Sequence, residues 1–397
     1  MKHVLVVGGP SSTLDKLDKL GVRYSMVQIP RMVDERQFGG AERYAVLDYR
    51  DLGELSAVAR AWHAIDPFDA AVSFTEYGLE PASRIARDLG IAGDNLRAVL
   101  ATRDKTRTRA LLNEHGLSSV RHRVCATLED ARAFFRELGG DPIVLKPTDG
   151  GLSEGVFVVE AEDELDERWA WTSAAASGTV LAEEFLNGPE YSVETISLDG
   201  AHEIAMITEK LTTELPRFVE LGHQVPARLD PAVRARVETL ILDFLDLIGQ
   251  TTGPVHTEVR VTAAGPKLIE SQTRVGGDQV WELCEMVSGI DLMAEGIARQ
   301  VGLPAPARTP VAPAAAIRFF GHENVRVLDV QDVASAEGAR GVVRVVCSLE
   351  PGQELGPLES SNSRQGYVLC TGDDPEDAVA NAEAARRLVR VKVEPLA

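Results

Sequence analysis

The chain has 397 residues, enough for two or three domains with clefts between them, and its 44% hydrophobic and 26% charged content is ordinary for a soluble globular protein. Lys and Arg number 41 against 61 Asp and Glu, a net charge of −20, which argues against a nucleic-acid binder, whose affinity comes mostly from neutralising phosphates. A small anionic ligand held by a few cations and a metal stays open.

From the N-terminus, short apolar runs alternate with helical spacing. His3 to Val7, Arg23 to Ile29 and Ala70 to Phe74 read as buried strands, and Leu52 to Trp62 and Pro81 to Leu89 as helices. This is the rhythm of a parallel sheet covered by helices. Gly8-Gly9-Pro10 lacks the G-x-G-x-x-G spacing of a dinucleotide site and reads as a strand-to-helix turn. Helical segments follow at Asn95 to Leu100, Asp104 to His115 and Leu128 to Leu138, with a strand near Arg123 to Cys125. From Pro142 to about Gly200 the pattern is strand, glycine-rich loop, strand, helix and two strands. A long amphipathic helix, Pro231 to Ile248, precedes strands Val255 to Thr262 and Pro266 to Thr273. A Pro/Ala-rich connector, Leu303 to Ala315, leads into a final αβ lobe. Cys125, Cys284, Cys347 and Cys370 show neither disulfide nor zinc spacing, and no signal h-region or membrane-spanning run is present, so a cytoplasmic, membrane-free setting is expected.

Three clusters carry chemistry. In the first, strand Pro142 to Lys146 delivers one lysine into the loop Pro147-Thr148-Asp149-Gly150-Gly151-Leu152-Ser153-Glu154-Gly155. Glycine amides can wrap phosphate oxygens while the lysine supplies a point charge, although a plain Gly-rich hairpin has the same composition. The lysine precedes the glycines, so this is not a P-loop. In the second, Val180-Leu181-Ala182-Glu183-Glu184-Phe185-Leu186 offers main-chain groups to a purine edge, and Glu190 a carboxylate to ribose; a solvated acidic turn is the alternative. In the third, Glu258 and Glu270 lie on neighbouring strands where both carboxylates can face one Mg²⁺, with Arg274 within reach of an adjacent anion. Exposed strand carboxylates partnered by arginine would look the same.

Taken in order, Lys105, Lys146 with its Gly/Ser loop, the Glu-Glu-Phe-Leu and Gly-x-Glu strands, and Glu258…Glu270-x-Gln-x-Arg resemble the ATP-grasp superfamily over nearly the whole chain. Gly222-His223-Gln224-Val225-Pro226-Ala227, Gly289-Ile290-Asp291-Leu292 and Ala315-Ala316-Ile317-Arg318-Phe319-Phe320 make it similar to the carboxylate-amine ligase branch, which includes dipeptide-forming L-amino-acid ligases. The resemblance implies a mixed α/β and α+β architecture: a Rossmann-like domain over residues 1–100, an ATP-grasp region over 101–302 with a lid at about 120–190, and a C-terminal lobe over 303–397. It implies that Lys105 and Lys146 contact ATP phosphates under a lid loop, 148–155, that includes Ser153 and Gly155. Glu183 would face the adenine amino group, Glu184 and Leu186 would present main-chain groups on either side of Phe185, and Glu190 would bind ribose. Glu258, Glu270 and Gln272 would hold two Mg²⁺ ions, with Mn²⁺ as a substitute. Gln272 departs from the family's usual Asn by one methylene, which alters the second ion's coordination.

By the same resemblance, Arg274 and Lys146 serve catalysis, and Arg274 and His223 contact the substrates. From the residues themselves, Glu76 at the end of a first-domain strand suits a substrate ammonium or is a helix N-terminal acid, Gly277 permits close approach with Asp278 biasing the pocket toward a cationic or polar partner, and Arg318 reaches the site or pairs with an acid inside the C-terminal lobe. The implied reaction activates a carboxylate as an acyl phosphate and couples it to an amine, releasing ADP and phosphate. Small-molecule carboxylates and amines are the expected partners, with a homodimer also compatible. A purine-biosynthesis or carboxylation enzyme of the same superfamily is the alternative, and a non-catalytic ATP-binding regulator is the alternative from another class.

Overall fold

The computed structural model describes residues 1–149, 151 and 153–396. Its N-terminal sheet is parallel, in the order Tyr44–Val46, Arg23–Gln28, His3–Val7, Ala70–Val72. All of His3–Val7 is buried, as a strand covered on both faces must be, and its alternate side chains feed two separate cores. The Gly8 turn ends that strand at φ 66, and a Cβ there would sit 2.7 Å from the Tyr49 ring, so a side chain is excluded on both counts.

Residues 122–184 form a second, antiparallel sheet in the order His122–Cys125, Val180–Glu184, Ile143–Pro147, Phe157–Val159. Helices Leu128–Glu137 and Leu165–Ala175 back it around Phe134, Phe135 and Leu165. The largest sheet has eight antiparallel strands, in the order Gly265–Gln272, Gly253–Thr262, Glu190–Leu198, Ala201–Thr212, Glu220–Val225, Ala314–Phe319, Gly366–Gly372, Val342–Cys347. It runs unbroken from the expected metal hairpin into the C-terminal lobe. Strands Ala201–Thr212 and Glu220–Val225 were not anticipated from the sequence, and they complete the floor of the cleft described below.

Helix Pro231–Ile248 packs Phe244, Leu245 and Ile248 under that sheet against Val193, Val255 and Val259. Its ends are set chemically: the Asp230 side chain accepts from the Ala232 amide at 2.9 Å, Pro231 occupies the first turn, and Gly249 closes it at φ 71. The lobe's helix Pro375–Leu388 buries Ala378, Ala382 and Ala385 against the same sheet farther on. No helix among the described residues is long and apolar enough to cross a membrane. The four cysteines are free thiols.

Candidate active site

Strand register explains why so many charges meet on one face. Along Glu190–Leu198, alternation puts Glu190, Ser192 and Glu194 on one side, and Tyr191 and Val193 on the other, inside the core. One neighbouring strand sets Arg260 opposite Glu190, Glu258 opposite Ser192 and His256 opposite Glu194. The other sets Thr208 opposite Ser192 and Glu209 opposite Tyr191, so Lys210 arrives beside Glu190. Glu258 also pairs directly with Glu270 across the hairpin, just before a register shift. This polar face and the edge of the 122–184 sheet enclose a cleft.

The expected residues Glu76, Lys105, Lys146, Ser153, Glu183, Glu184, Phe185, Leu186, Glu190, His223, Glu258, Glu270, Gln272, Arg274, Gly277 and Asp278 all line it. Of the expected lid loop, Gly150 and Leu152 lie outside the described residues. Gly155 is buried instead against Pro147 and Ala175, where an added Cβ would come within 2.7 Å of the Ala175 methyl. Arg318 also departs from expectation. It lies on strand Ala314–Phe319 with its guanidinium turned into the C-terminal lobe, bonded to Glu383, Gln224 and the His223 and Ile317 carbonyls. Buried to 4% exposure, it pairs with Glu383 of the lobe and with Gln224 and the His223 carbonyl of the neighbouring strand, and it is not among the residues that line the cleft.

On the 122–184 sheet, Glu183 stands between two buried cations, Lys146 at 2.5 Å and Arg109 at 2.5 Å. Both its oxygens are committed to them rather than turned outward. Burial alone would raise its carboxyl, but Lys146 and Arg109 outweigh that and hold it down at about 2. Since the folded value lies below the unfolded 4.5, this group stabilises the fold above pH 4.5 and loses that contribution as pH falls toward 2. Glu183→Gln is therefore expected to cost stability at pH 7, with a gap from wild type about 2 kcal/mol smaller at pH 3. Urea unfolding of both proteins at the two pH values checks this; a gap independent of pH would mean that Glu183 is not a buried anion.

The Glu184 amide donates to the Arg121 carbonyl at 2.9 Å and its carboxylate takes two bonds from Arg121, so its amide is not open to a ligand. The Leu186 carbonyl accepts from Arg260 at 3.0 Å. The Arg260 guanidinium lies over the rings of Phe185 and Phe218, whose centroids are 6.4 Å apart. These rings provide an apolar wall suited to a planar base.

Lys210 had no motif to announce it. Its ammonium sits 2.6 Å from Glu190, 2.7 Å from Glu258 and 3.5 Å from Glu220, with the side chain only 4% exposed. Burial would favour the neutral amine, yet Glu190, Glu258 and Glu220 together keep it protonated well above the usual lysine range. His256 is held similarly: Glu194 at 2.6 Å and then Glu258 overcome its burial and push it up to about 9, so it is an imidazolium at neutral pH. Glu258 is correspondingly held well below the usual carboxylate range. The close fit beside this pair is why residue 276 is glycine, since a Cβ there would approach His256 Nδ1 to 2.7 Å.

Glu270 pairs with Lys105 at 3.1 Å and accepts from the Gln272 amide. Rotating that amide exchanges its nitrogen for the carbonyl oxygen, the atom a metal would take. Among the described residues no three His, Cys, Asp or Glu side chains form a metal cluster. Two opposed carboxylates and one amide carbonyl are nevertheless oxygen donors suited to Mg²⁺, leaving several positions for phosphate oxygens and water. The buried Ser192 hydroxyl, opposite Glu258 on the next strand, also has no hydrogen-bond partner among the described residues. The residues present therefore fit the ion.

Beyond Glu270, Glu76 at the end of the parallel sheet binds Arg103 at 2.6 Å and Arg274 at 2.9 Å. Burial would raise its carboxyl, but Arg274 and Arg103 lower it. Glu76 therefore orients two arginines. His223 faces Asp278 at 3.4 Å.

Residues 140–282, which contain Lys146, Glu190, Lys210, Glu258 and Glu270, match the family described as ATP-grasp domain, and residues 319–394 match L-amino acid ligase C-terminal domain 2. The chain joins an ATP-grasp domain to an L-amino acid ligase C-terminal domain. It is similar to alanine–anticapsin ligase of Bacillus subtilis, 28% identical over 249 residues that span 56% of this chain and 52% of that protein. Human carnosine synthase 1 is 24% identical over 339 residues, 78% of this chain and 40% of its own length. The chain thus spans about half the length of the alanine–anticapsin ligases it matches. The L-amino acid ligase structure from Bacillus licheniformis superposes with a TM-score of 0.83 at 21% identity, over 99% of this chain and 98% of that one, and so shares its fold. An ATP-grasp domain implies ATP binding. Because Ser361 lines the cleft, the ligase C-terminal domain is one of its walls.

Proposed function

We propose that the protein is an ATP-dependent carboxylate-amine ligase that joins two amino acids or related small molecules. The observation that carries this reading is a single cleft that brings both sets of side chains together: Lys105, Lys146, Glu258 and Glu270, with charges suited to a metal-bound triphosphate, and Arg274, His223 and Asp278, with groups suited to amino-acid substrates. The domain division at residues 100 and 302 belongs to the same reading, with the cleft at the meeting of the three parts.

A carboxylate is a poor electrophile. Its oxygen attacks the γ-phosphorus of ATP, the bond to ADP breaks, and the product is an acyl phosphate. The amine then attacks the carbonyl carbon, phosphate leaves, and the amine proton is lost as the amide forms. In this scheme Lys105 and Lys146 hold phosphate oxygens, Glu190 takes ribose, and the Phe185 and Phe218 rings flank the base. Arg274, fixed by Glu76, binds the substrate carboxylate or acyl-phosphate oxygens. Glu258, Glu270 and Gln272 would hold magnesium, which supplies positive charge to the triphosphate. No enzyme nucleophile is needed, consistent with thiols buried in cores away from the cleft at Cys125, Cys284 and Cys370.

Phosphate release measured across pairs of L-amino acids, with product masses, tests the assignment. The expected product is a dipeptide formed with one ADP per bond. Turnover only with bicarbonate or a sugar phosphate would point to the carboxylation or purine enzymes instead, and ATP binding without turnover would point to a regulator.

A further inference from the structure

One wall of the cleft is finished by a side chain that is nearly hidden. Arg364, in the C-terminal domain, grips Asp278 with both terminal nitrogens, at 2.7 Å and 2.5 Å. It also donates to the Glu220 carbonyl at 3.1 Å and, through Nε, to the Ser361 carbonyl at 2.8 Å. Its guanidinium carbon lies 3.8 Å from the centre of the Phe319 ring. Four of its five N–H groups are thereby occupied.

Asp278 itself sits on a left-handed backbone, φ 52, followed by Gln279 at φ 61. Two consecutive residues of this kind form a sharp turn that needs outside support, and the arginine fork supplies it. His223 supports the same carboxylate from the strand below. Exposure decides which charge a ligand meets: the side chain of Asp278 is 21% exposed, that of Arg364 7% and that of His223 2%. The cleft therefore meets a fixed carboxylate with Arg364 and His223 behind it. A carboxylate oxygen can accept two bonds, so Oδ1, which accepts from Arg364 alone among the described residues, keeps spare capacity.

We propose that Asp278, oriented by Arg364 of the C-terminal domain, receives the side chain of one substrate, and that this substrate is an amino acid whose side chain donates hydrogen bonds through an ammonium, guanidinium or amide group. This rests on the ligase reading above and adds the substrate class. An aliphatic side chain placed there would cover the remaining acceptor positions of Asp278 without offering a donor, and sites built around polar groups reject such analogues strongly. Arg364 is a positioning residue, because it acts through Asp278.

Near-isosteric pairs test this. L-Lysine against L-norleucine, and L-glutamine against L-methionine, share α-ammonium, α-carboxylate and approximate length but differ in donors. With ATP, Mg²⁺ and L-alanine as the second amino acid, the donor-bearing member of each pair is expected to have a kcat/KM at least about tenfold higher. Asp278→Asn, which tolerates the left-handed backbone, is expected to bring the lysine-to-norleucine ratio close to one. Arg364→Met is expected to raise KM for lysine more than it lowers kcat, and Arg364→Lys to restore only part of the loss, since an ammonium cannot form the fork.

A purely structural Arg364 would lower lysine and norleucine rates alike and leave their ratio unchanged, which overturns the proposal. So does a wild-type ratio near one, as expected if Asp278 binds the α-ammonium. Dipeptides formed with an unmoved ratio would sink this inference alone. Absence of any dipeptide product would sink the ligase reading, and this inference with it.

Discussion

Replacing Lys210 with Met is expected to destabilise the protein by about 3 kcal/mol and to abolish turnover. The ammonium is the shared partner of Glu190, Glu258 and Glu220, and it is almost fully buried. Removing it leaves those carboxylates facing one another with Arg260 as the remaining partner of Glu190 and His256 as that of Glu258. Breaking a buried ionic group from one side costs more than the pair is worth, because the uncompensated charge stays in the interior. Urea unfolding measures the loss. Mg²⁺ is expected to raise the Tm of the variant more than that of wild type, since it returns positive charge where the ammonium was. Equal Tm shifts would show that Lys210 does not neutralise the carboxylates proposed to hold metal.

The second large effect is on chemistry rather than folding. Glu270→Ala is expected to lower kcat by roughly a thousandfold, the scale of losing a preorganised electrostatic contact in the transition state. Its carboxylate faces Glu258 across the hairpin and is paired with Lys105. That position is part-buried, so the variant is expected to unfold within about 1 kcal/mol of wild type. ADP formation at saturating Mg²⁺ and ATP is the readout. An undiminished rate would remove Glu270 from the proposed metal site, while a comparable loss of stability would make its role structural.

Local motifs were legible because they need only one strand or one hairpin. The Lys146 strand and its loop, and Glu258 opposite Glu270, can be read from alternation within a few residues. The helix Pro231–Ile248 follows from its cap, its proline and its closing glycine. Lys210 could not be read this way. Glu209-Lys210-Leu211-Thr212 resembles a solvated turn, and only the pairing of its strand with Glu190–Leu198 turns the lysine inward. One local signal did exist: Lys210 falls in phase with buried Met206 and Thr208. Arg318 failed for the opposite reason. A basic residue on a strand close to the site was expected to enter it, but strand alternation turns it to the face carrying helix Pro375–Leu388, where Glu383 holds it. Arg364 and Asp278 are 86 residues apart, and no spacing argument could have joined them.

The same packing reconciles an acidic chain with a triphosphate. Glu183, Glu190, Glu258 and Glu270 are each paired with a lysine or arginine in the cleft. The charge of −20 is thus no measure of the local field.

Oxygen tracing tests the central claim most directly. Both amino acids of a productive pair, each carrying ¹⁸O in both carboxylate oxygens, are incubated with ATP and Mg²⁺, and the released phosphate is weighed by mass spectrometry. Coupling through an acyl phosphate transfers one ¹⁸O to phosphate for each amide bond formed. Phosphate free of ¹⁸O, or ADP released without an amide, would contradict it.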